Sequence, residues 1–205
     1  SPDTLAVQSM EMPEPKTGEI RVEVAYAGIN FADLLMRLGL YQPRPSYPFT
    51  PGYELSGTID AVGEGVEGFT IGQRVVAGVS NGGQSSHVVV QAQQALVLPD
   101  EISLQVAAAI PVTYLTAHHM LHHLGHMTPD DSVLIHGGAG GVGTAALQIC
   151  QWADVQNVWA TASGHKASTI EAYGGTAIDR HNEDFVEVIR KATDGKGVDH
   201  VLDPI

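Results

Sequence analysis

The stretch VLIHGGAGGVGTAALQIC, residues 133–150, decides the fold. Val133–Ile135 is a short apolar run that reads as a buried strand, and TAALQIC reads as a helix. Between them, residues 135–143 place five glycines in nine positions. Glycine this dense is costly to order, so it marks a place where something must approach the backbone closely. Gly138, Gly140 and Gly143 fit the pattern G-x-G-x-x-G. A strand precedes the pattern, a helix follows, and a second strand, NVWATAS, begins at Asn157. In that context the first glycine is expected to permit a tight turn. The second lets the backbone approach a pyrophosphate, and the third lets helix and strand pack closely. The helix start at Gly141, Val142 and Gly143 offers free N–H groups and a partial positive charge to an anion. The segment is therefore expected to bind a dinucleotide.

Reading outward in the C-terminal direction, helix KASTIEAYGG, strand TAID, helix EDFVEVIRKAT and strand DHVLDP follow in alternation. Strands alternating with helices of about ten residues imply a parallel sheet covered on both faces. In the N-terminal direction, TAHHMLHHLGHM predicts a helix ending near Gly125, and SLQVAAAI a helix start capped by Ser103 and broken at Pro111. Before residue 103 the texture changes. EIRVEVAYAGIN alternates like a half-buried strand, and LSGTIDAVG, QRVVAGV, SSHVVVQ and ALVLP continue in that style between glycines. One short helix interrupts them, FADLLMRLG, with Asn30 as N-cap and Gly39 as stop. The chain thus divides into a mostly antiparallel β domain over residues 1–105 and the start of a parallel α/β domain over 106–205. The chain opens at Ser1-Pro2-Asp3 and closes just after an apolar run, and it reads as a piece of a longer protein.

The balance of 10 Lys and Arg against 23 Asp and Glu, a net charge of −13, argues against nucleic acid and anionic membranes as partners. No run approaches the roughly 20 apolar residues of a membrane span. Cys150 is the single cysteine, so no internal disulfide or multi-thiolate metal site is available, and a cytoplasmic location is expected. On its helix Cys150 reads as a small buried hydrophobe. His118, His119, His122, His123 and His126 share helix faces in pairs, each pair a geometric clip for a metal. No carboxylate accompanies them, and the plainer reading is a polar helix face.

The end of the second strand selects the nucleotide. A site for NAD places Asp or Glu there to bind the ribose hydroxyls. Here the chain has Thr161, Ala162 and Ser163, with Lys166 close behind and Arg180 after the third strand. Hydroxyls and cations attract a 2′-phosphate that a carboxylate would repel, so NADPH is the expected cofactor. Lys166 has the alternative role of a solvated helix start.

GINFADLLMRLGLY, TPGYELSGTI, AAAIPVTYLTAHHML and VLIHGGAGGVGTAALQIC together resemble, in order, the medium-chain dehydrogenase/reductase superfamily. They are most similar to its zinc-free quinone oxidoreductase branch. The tail NVWATASGHK and GVDHVLDPI resembles the vesicle amine transport protein group of that branch. The resemblance implies a GroES-like domain followed by a Rossmann domain that binds NADPH. It also implies that a first strand and the later Rossmann strands lie outside this chain. Zinc members carry Cys near Asn30 and His before the glutamate, where this chain has Tyr53-Glu54. With no cysteine in the N-terminal half, neither a catalytic nor a four-cysteine zinc site is expected.

By the same resemblance, Asn30, Asp33 and Tyr41 surround a substrate cleft and Thr116 lies near the nicotinamide. Asn30 either holds the cofactor or substrate or acts as a helix cap. Tyr41 either donates to an oxyanion or packs a loop. Asp33 reads as structural, because a first-turn acid suits the helix dipole. The implied activity is hydride transfer from NADPH to a quinone or α,β-unsaturated carbonyl by a homodimer. The alternative is a nucleotide-binding, vesicle-associated interaction protein with little turnover.

Overall fold

The computed structural model describes residues 5–42 and 45–204. The chain forms two compact units, Ser1–Val112 and Thr113–Ile205.

The first unit is built on one antiparallel sheet. Its strands are β1 (Glu19–Ala27), β2 (Glu54–Val62), β3 (Arg74–Gly78), β4 (His87–Gln91) and β5 (Ala95–Val97), in the order β4-β1-β2-β3-β5. The alternation legible in EIRVEVAYA is kept at its start, where Ile20 and Val22 are buried and Arg21 turns outward to pair with Asp60 of β2 at 2.9 Å. Two register shifts against β2, at Arg21/Val22 and Val24/Tyr26, bend β1 so that the sheet curls around its own core. That core is Ile20, Val22, Leu55, Ile59, Val75, Ala77, Val90 and Ala95. Helix α1 (Phe31–Arg37) follows β1 directly, and the four-residue helix α2 (Leu104–Ala107) closes the unit. Ser103 caps α2, its hydroxyl accepting from the Val106 N–H.

Pro111 does not break a helix, as its place in the sequence suggested. It opens the next one, α3 (Pro111–His118), because a residue with no N–H and a fixed φ fits the first helical position. Over His119–Leu124 the helix widens to the π form, with the Gly125 N–H reaching back five residues to the Met120 carbonyl at 2.9 Å. The expected uniform α-helix up to Gly125 is corrected to that extent.

The second unit carries β6 (Ser132–Ile135), α4 (Gly141–Trp152), β7 (Asn157–Ala162), α5 (Ala167–Glu171), β8 (Thr176–Asp179), α6 (Phe185–Ala192) and β9 (His200–Leu202). All strand pairs are parallel, in the order β8-β7-β6-β9. Counted within the unit this is 3-2-1-4, the order in which an open α/β sheet reverses direction beside its first strand. The glycine loop leaves β6 at that reversal. Below it the core gathers Val133, Ile135, Ala146, Leu147, Cys150, Val158, Ala160 and Ile170.

Cys150 is 1% exposed and lies 3.8 Å from the Met127 sulfur, and burial pushes its thiol up to about 11. The native protein should therefore leave Cys150 unmodified by an aromatic disulfide at pH 7.5, while the unfolded chain reacts. Site-resolved mass spectrometry reads this directly, and rapid native labelling would contradict the packing.

Candidate functional site

The loop between β6 and α4 is fixed by contacts that explain its glycines individually. Gly137 takes the left-handed conformation, with φ 64°, and the turn that it opens, with the Gly140 N–H donating to its carbonyl at 2.8 Å, runs through Gly138. A Cβ on Gly138 would stand 2.5 Å from the Ala160 Cβ, so this glycine lets the loop lie flat on β7. A Cβ on Gly143 would stand 2.3 Å from the Gly137 carbonyl oxygen and 2.7 Å from the Gly138 Cα. That third glycine thus seats α4 on the loop backbone rather than on a strand. At Gly140 the nearest atom, the Gly137 carbonyl oxygen, is 3.2 Å away. The Thr144 N–H makes the first intrahelical bond, to the Gly140 carbonyl at 2.8 Å. The N–H groups of Gly141, Val142 and Gly143 therefore precede the helical ladder and form the polar N-terminus of a twelve-residue helix. A cradle lined by backbone, in which two of three glycines exclude any side chain, fits a pyrophosphate.

The ends of β7 and β8 lie side by side, Ala162 paired with Asp179. The Arg180 N–H donates to the Ala162 carbonyl at 2.9 Å, bringing Arg180 beside Ser163 and the 3-10 turn Gly164–Lys166. Thr161, read from sequence as part of a phosphate-attracting set, is corrected. It is 5% exposed, and its hydroxyl stands 3.1 Å from His136 Nδ1 and 3.3 Å from the Gly137 nitrogen, so it braces the glycine loop. The end of β7 carries no acid of its own, but Asp179 reaches across to it from the end of β8. A Cβ on Gly164 would meet its Oδ2 at 2.6 Å. The carboxylate accepts from the His181 N–H and the Asn182 side-chain amide, at 3.1 and 2.7 Å. Those bonds, the His181 backbone contact foremost, hold Asp179 below the usual carboxylate range. Asp179 ties the two turns together, leaving the exposed Lys166 and Arg180 as the cations of this edge. The Arg180 Nε–H donates to His181 Nε2 at 3.3 Å, and Ser163 Oγ lies 3.3 Å from the same nitrogen.

In the first unit a second cluster forms where β1 gives way to α1. Asp33 is 3% exposed, and its two oxygens accept the N–H groups of Asn30 and Gly52 at 2.8 and 3.0 Å. It is a bracket between the helix start and the loop before β2, in keeping with a structural role. Asn30 occupies the N-cap position in a capping box with Asp33, and its Nδ2 donates to Glu54 Oε1 at 2.7 Å. The other Glu54 oxygen accepts the Val112 N–H, in the first turn of α3, at 2.8 Å. Glu54 is 2% exposed, and Gly28 gives it room, since a Cβ there would lie 2.1 Å from its Oε1. Tyr41 lies edge-on to Tyr53, ring centroids 6.0 Å apart.

Thr116 is exposed on α3 and, with Leu115, Met120, His119 and His123, lines an open depression. The rings of His118 and His122 lie 4.8 Å apart, and those of His119 and His123 4.7 Å. Among the described residues no three His, Cys, Asp or Glu side chains converge on a common metal position. No described helix is long and apolar enough to cross a membrane.

Residues 16–100 match the model of the alcohol dehydrogenase GroES-like domain. The synaptic vesicle membrane protein VAT-1 homolog of Danio rerio is 45% identical over 194 residues, covering 94% of this chain and 40% of the relative. The solved quinone oxidoreductase of Escherichia coli, complexed with NADPH, superposes with a TM-score of 0.89 at 35% identity, over 96% of this chain and 61% of that one. The chain belongs to the medium-chain dehydrogenase/reductase superfamily, in its quinone oxidoreductase and VAT-1-like group. A further member of known structure, the CurK enoyl reductase, superposes with a TM-score of 0.92 at 37% identity, over 99% of this chain and 64% of that one. The present medium-chain dehydrogenase/reductase chain spans about half the length of the curated vesicle-protein relatives it matches. Its curled antiparallel sheet is the GroES-like part of the superfamily architecture, and its parallel sheet is the α/β part.

In this medium-chain dehydrogenase/reductase, sequence reasoning missed Glu54, Asp179 and the bracing role of Thr161. One signal was available for Glu54. An acid opening an apolar strand is buried with it, and a buried carboxylate needs partners.

Proposed function

We propose that the protein carrying this chain is a zinc-independent, NADPH-dependent oxidoreductase that reduces a quinone or an α,β-unsaturated carbonyl compound. The observation that carries the proposal is the side-chain-free loop at the reversal point of the β8-β7-β6-β9 sheet, opening onto the N-terminus of α4. Names of relatives and structural neighbours, quinone oxidoreductase and enoyl reductase, support the same class. In this reading a bound nicotinamide supplies the hydride. Gly141, Val142 and Gly143 offer their backbone N–H groups to the pyrophosphate, while Gly138 and Gly140, whose own N–H groups donate to the Thr161 and Gly137 carbonyls, let it approach by carrying no side chain. Ser163, Lys166 and Arg180 grip the 2′-phosphate, and Thr116 contacts the nicotinamide side. Asn30, its amide fixed by Glu54, orients cofactor ribose or substrate, and Tyr41 donates to the substrate oxygen. Hydrogen-bond donors at that oxygen do the polarising work that a metal does in the zinc enzymes. The protein is further proposed to act as a homodimer in the cytoplasm.

The nucleotide assignment is tested by changing Lys166→Ala and Arg180→Ala together in the full reading frame. Each charge-assisted contact contributes roughly 1.5–3 kcal/mol, so NADPH affinity should fall at least about tenfold while NADH affinity hardly moves. Equal losses for the two nucleotides, followed by fluorescence titration, would remove the 2′-phosphate assignment. The names of the vesicle-protein relatives favour a second reading, nucleotide binding with little turnover. NADPH oxidation by the full-length protein with a panel of quinones and enones separates the two.

A further inference from the structure

The hydroxyl of Tyr53 has no solvent-accessible surface to speak of and no hydrogen-bond partner among the described residues. Buried hydroxyls are almost always satisfied, because removing one from water without a partner is costly. Its ring is only half-buried and lies beside Tyr41, which is 37% exposed, so little protein separates this hydroxyl from the surface. Its neighbour in sequence, Glu54, fixes Asn30, and Asp33 lies within electrostatic reach. An unpartnered donor therefore sits in the cluster to which Asn30 and Tyr41 are assigned.

We propose that Tyr53 is a further catalytic residue, whose hydroxyl donates a hydrogen bond to the carbonyl oxygen of the substrate once the Tyr41 ring shifts aside. The inference rests on the reductase reading above. For an enone, a bound nicotinamide would supply hydride to the β-carbon, and the carbon–carbon π pair would move to form the enolate. Charge then gathers on the oxygen that Tyr53 faces, and solvent supplies the proton to the α-carbon. The enone is reduced and the nicotinamide oxidised. Burial, and then the charges of Tyr41 and Asp33, raise the Tyr53 phenol above its ordinary range, so it stays a donor through neutral pH. A bystander tyrosine with an unmet hydroxyl would be better replaced by phenylalanine. Retaining a donor that weakens the free protein is what a group reserved for a ligand does.

The test is Tyr53→Phe in the full-length protein, read by thermal unfolding and by steady-state enone reduction with NADPH. The melting temperature is expected to rise by about 2 °C, since no native bond is lost and an unmet group is removed. Turnover is expected to fall by about 100- to 1,000-fold, as for loss of one oxyanion donor. Unchanged turnover overturns the role of Tyr53 and leaves the reductase reading standing. A lower melting temperature also overturns it, because the hydroxyl then has a structural partner. Absence of NADPH-dependent reduction in the unaltered protein removes the reductase reading, and this inference with it.

Discussion

Replacing Glu54 with alanine is expected to destabilise the first unit by about 3–5 kcal/mol, among the largest effects of any single change in this chain. Two donors lose their acceptor at once, the Asn30 amide at 2.7 Å and the Val112 N–H at 2.8 Å. The side chain is 2% exposed, so water cannot readily take its place without opening the packing. Each buried group left unmet costs roughly 1–3 kcal/mol, and the truncated carboxyl adds a cavity. Glutamine should behave quite differently. Its carbonyl oxygen can accept from Val112, and its NH₂ can donate to Asn30 once the Asn30 amide turns over to present Oδ1. The loss for Glu54→Gln is therefore expected to stay near 1 kcal/mol, and the amide offered by Asn30 is reversed. Urea unfolding of the two variants checks the ranking. Equal destabilisation by Ala and Gln would mean that charge, and not hydrogen bonding, is what Glu54 provides.

Glu54 also marks the boundary of what local sequence could convey. The strands around it were legible because alternation repeats every two residues, and Ile20 and Val22 fall inward as that pattern requires. The glycine loop was legible because its density and its strand-to-helix setting are both local. Asn30 was legible as the residue before α1, but the direction of its amide was not. That is set by an acceptor 24 residues away, which no periodicity encodes. The same holds at the nucleotide edge. Asp179 belongs to a neighbouring strand, and only the parallel pairing of Ala162 with Asp179 places it beside Gly164. Thr161 failed in the opposite sense. Its hydroxyl suited a phosphate by chemistry, but the pleat turned it inward against His136 and Gly137. Residue type announces what a side chain can do, and register decides whether it faces the ligand.

The glycine loop offers the sharpest separation of folding from binding. Gly143→Ala is expected to cost about 2–4 kcal/mol and to weaken NADPH binding at least about tenfold, because overpacking here meets backbone. The added methyl would overlap the Gly137 carbonyl oxygen at 2.3 Å and the Gly138 Cα at 2.7 Å. Neither can rotate away as a side chain would, so α4 must withdraw from the loop and carry its N-terminal N–H groups with it. Gly140→Ala meets a different constraint. Its nearest neighbour is 3.2 Å away and its φ is −86°, a conformation alanine adopts without strain. Relief of unfolded-state entropy worth about 0.4–1 kcal/mol offsets the slight crowding, so stability should hardly change. Yet if a pyrophosphate approaches the Cα of Gly140, the methyl intrudes on the ligand and affinity should fall at least about tenfold. The pair is read by urea unfolding and NADPH titration of the full-length protein. Gly143→Ala should lose both stability and binding, and Gly140→Ala binding alone. A Gly140→Ala protein that binds NADPH like the parent would move the pyrophosphate away from this turn. A Gly143→Ala protein of parental stability would show that α4 does not rest on the loop backbone.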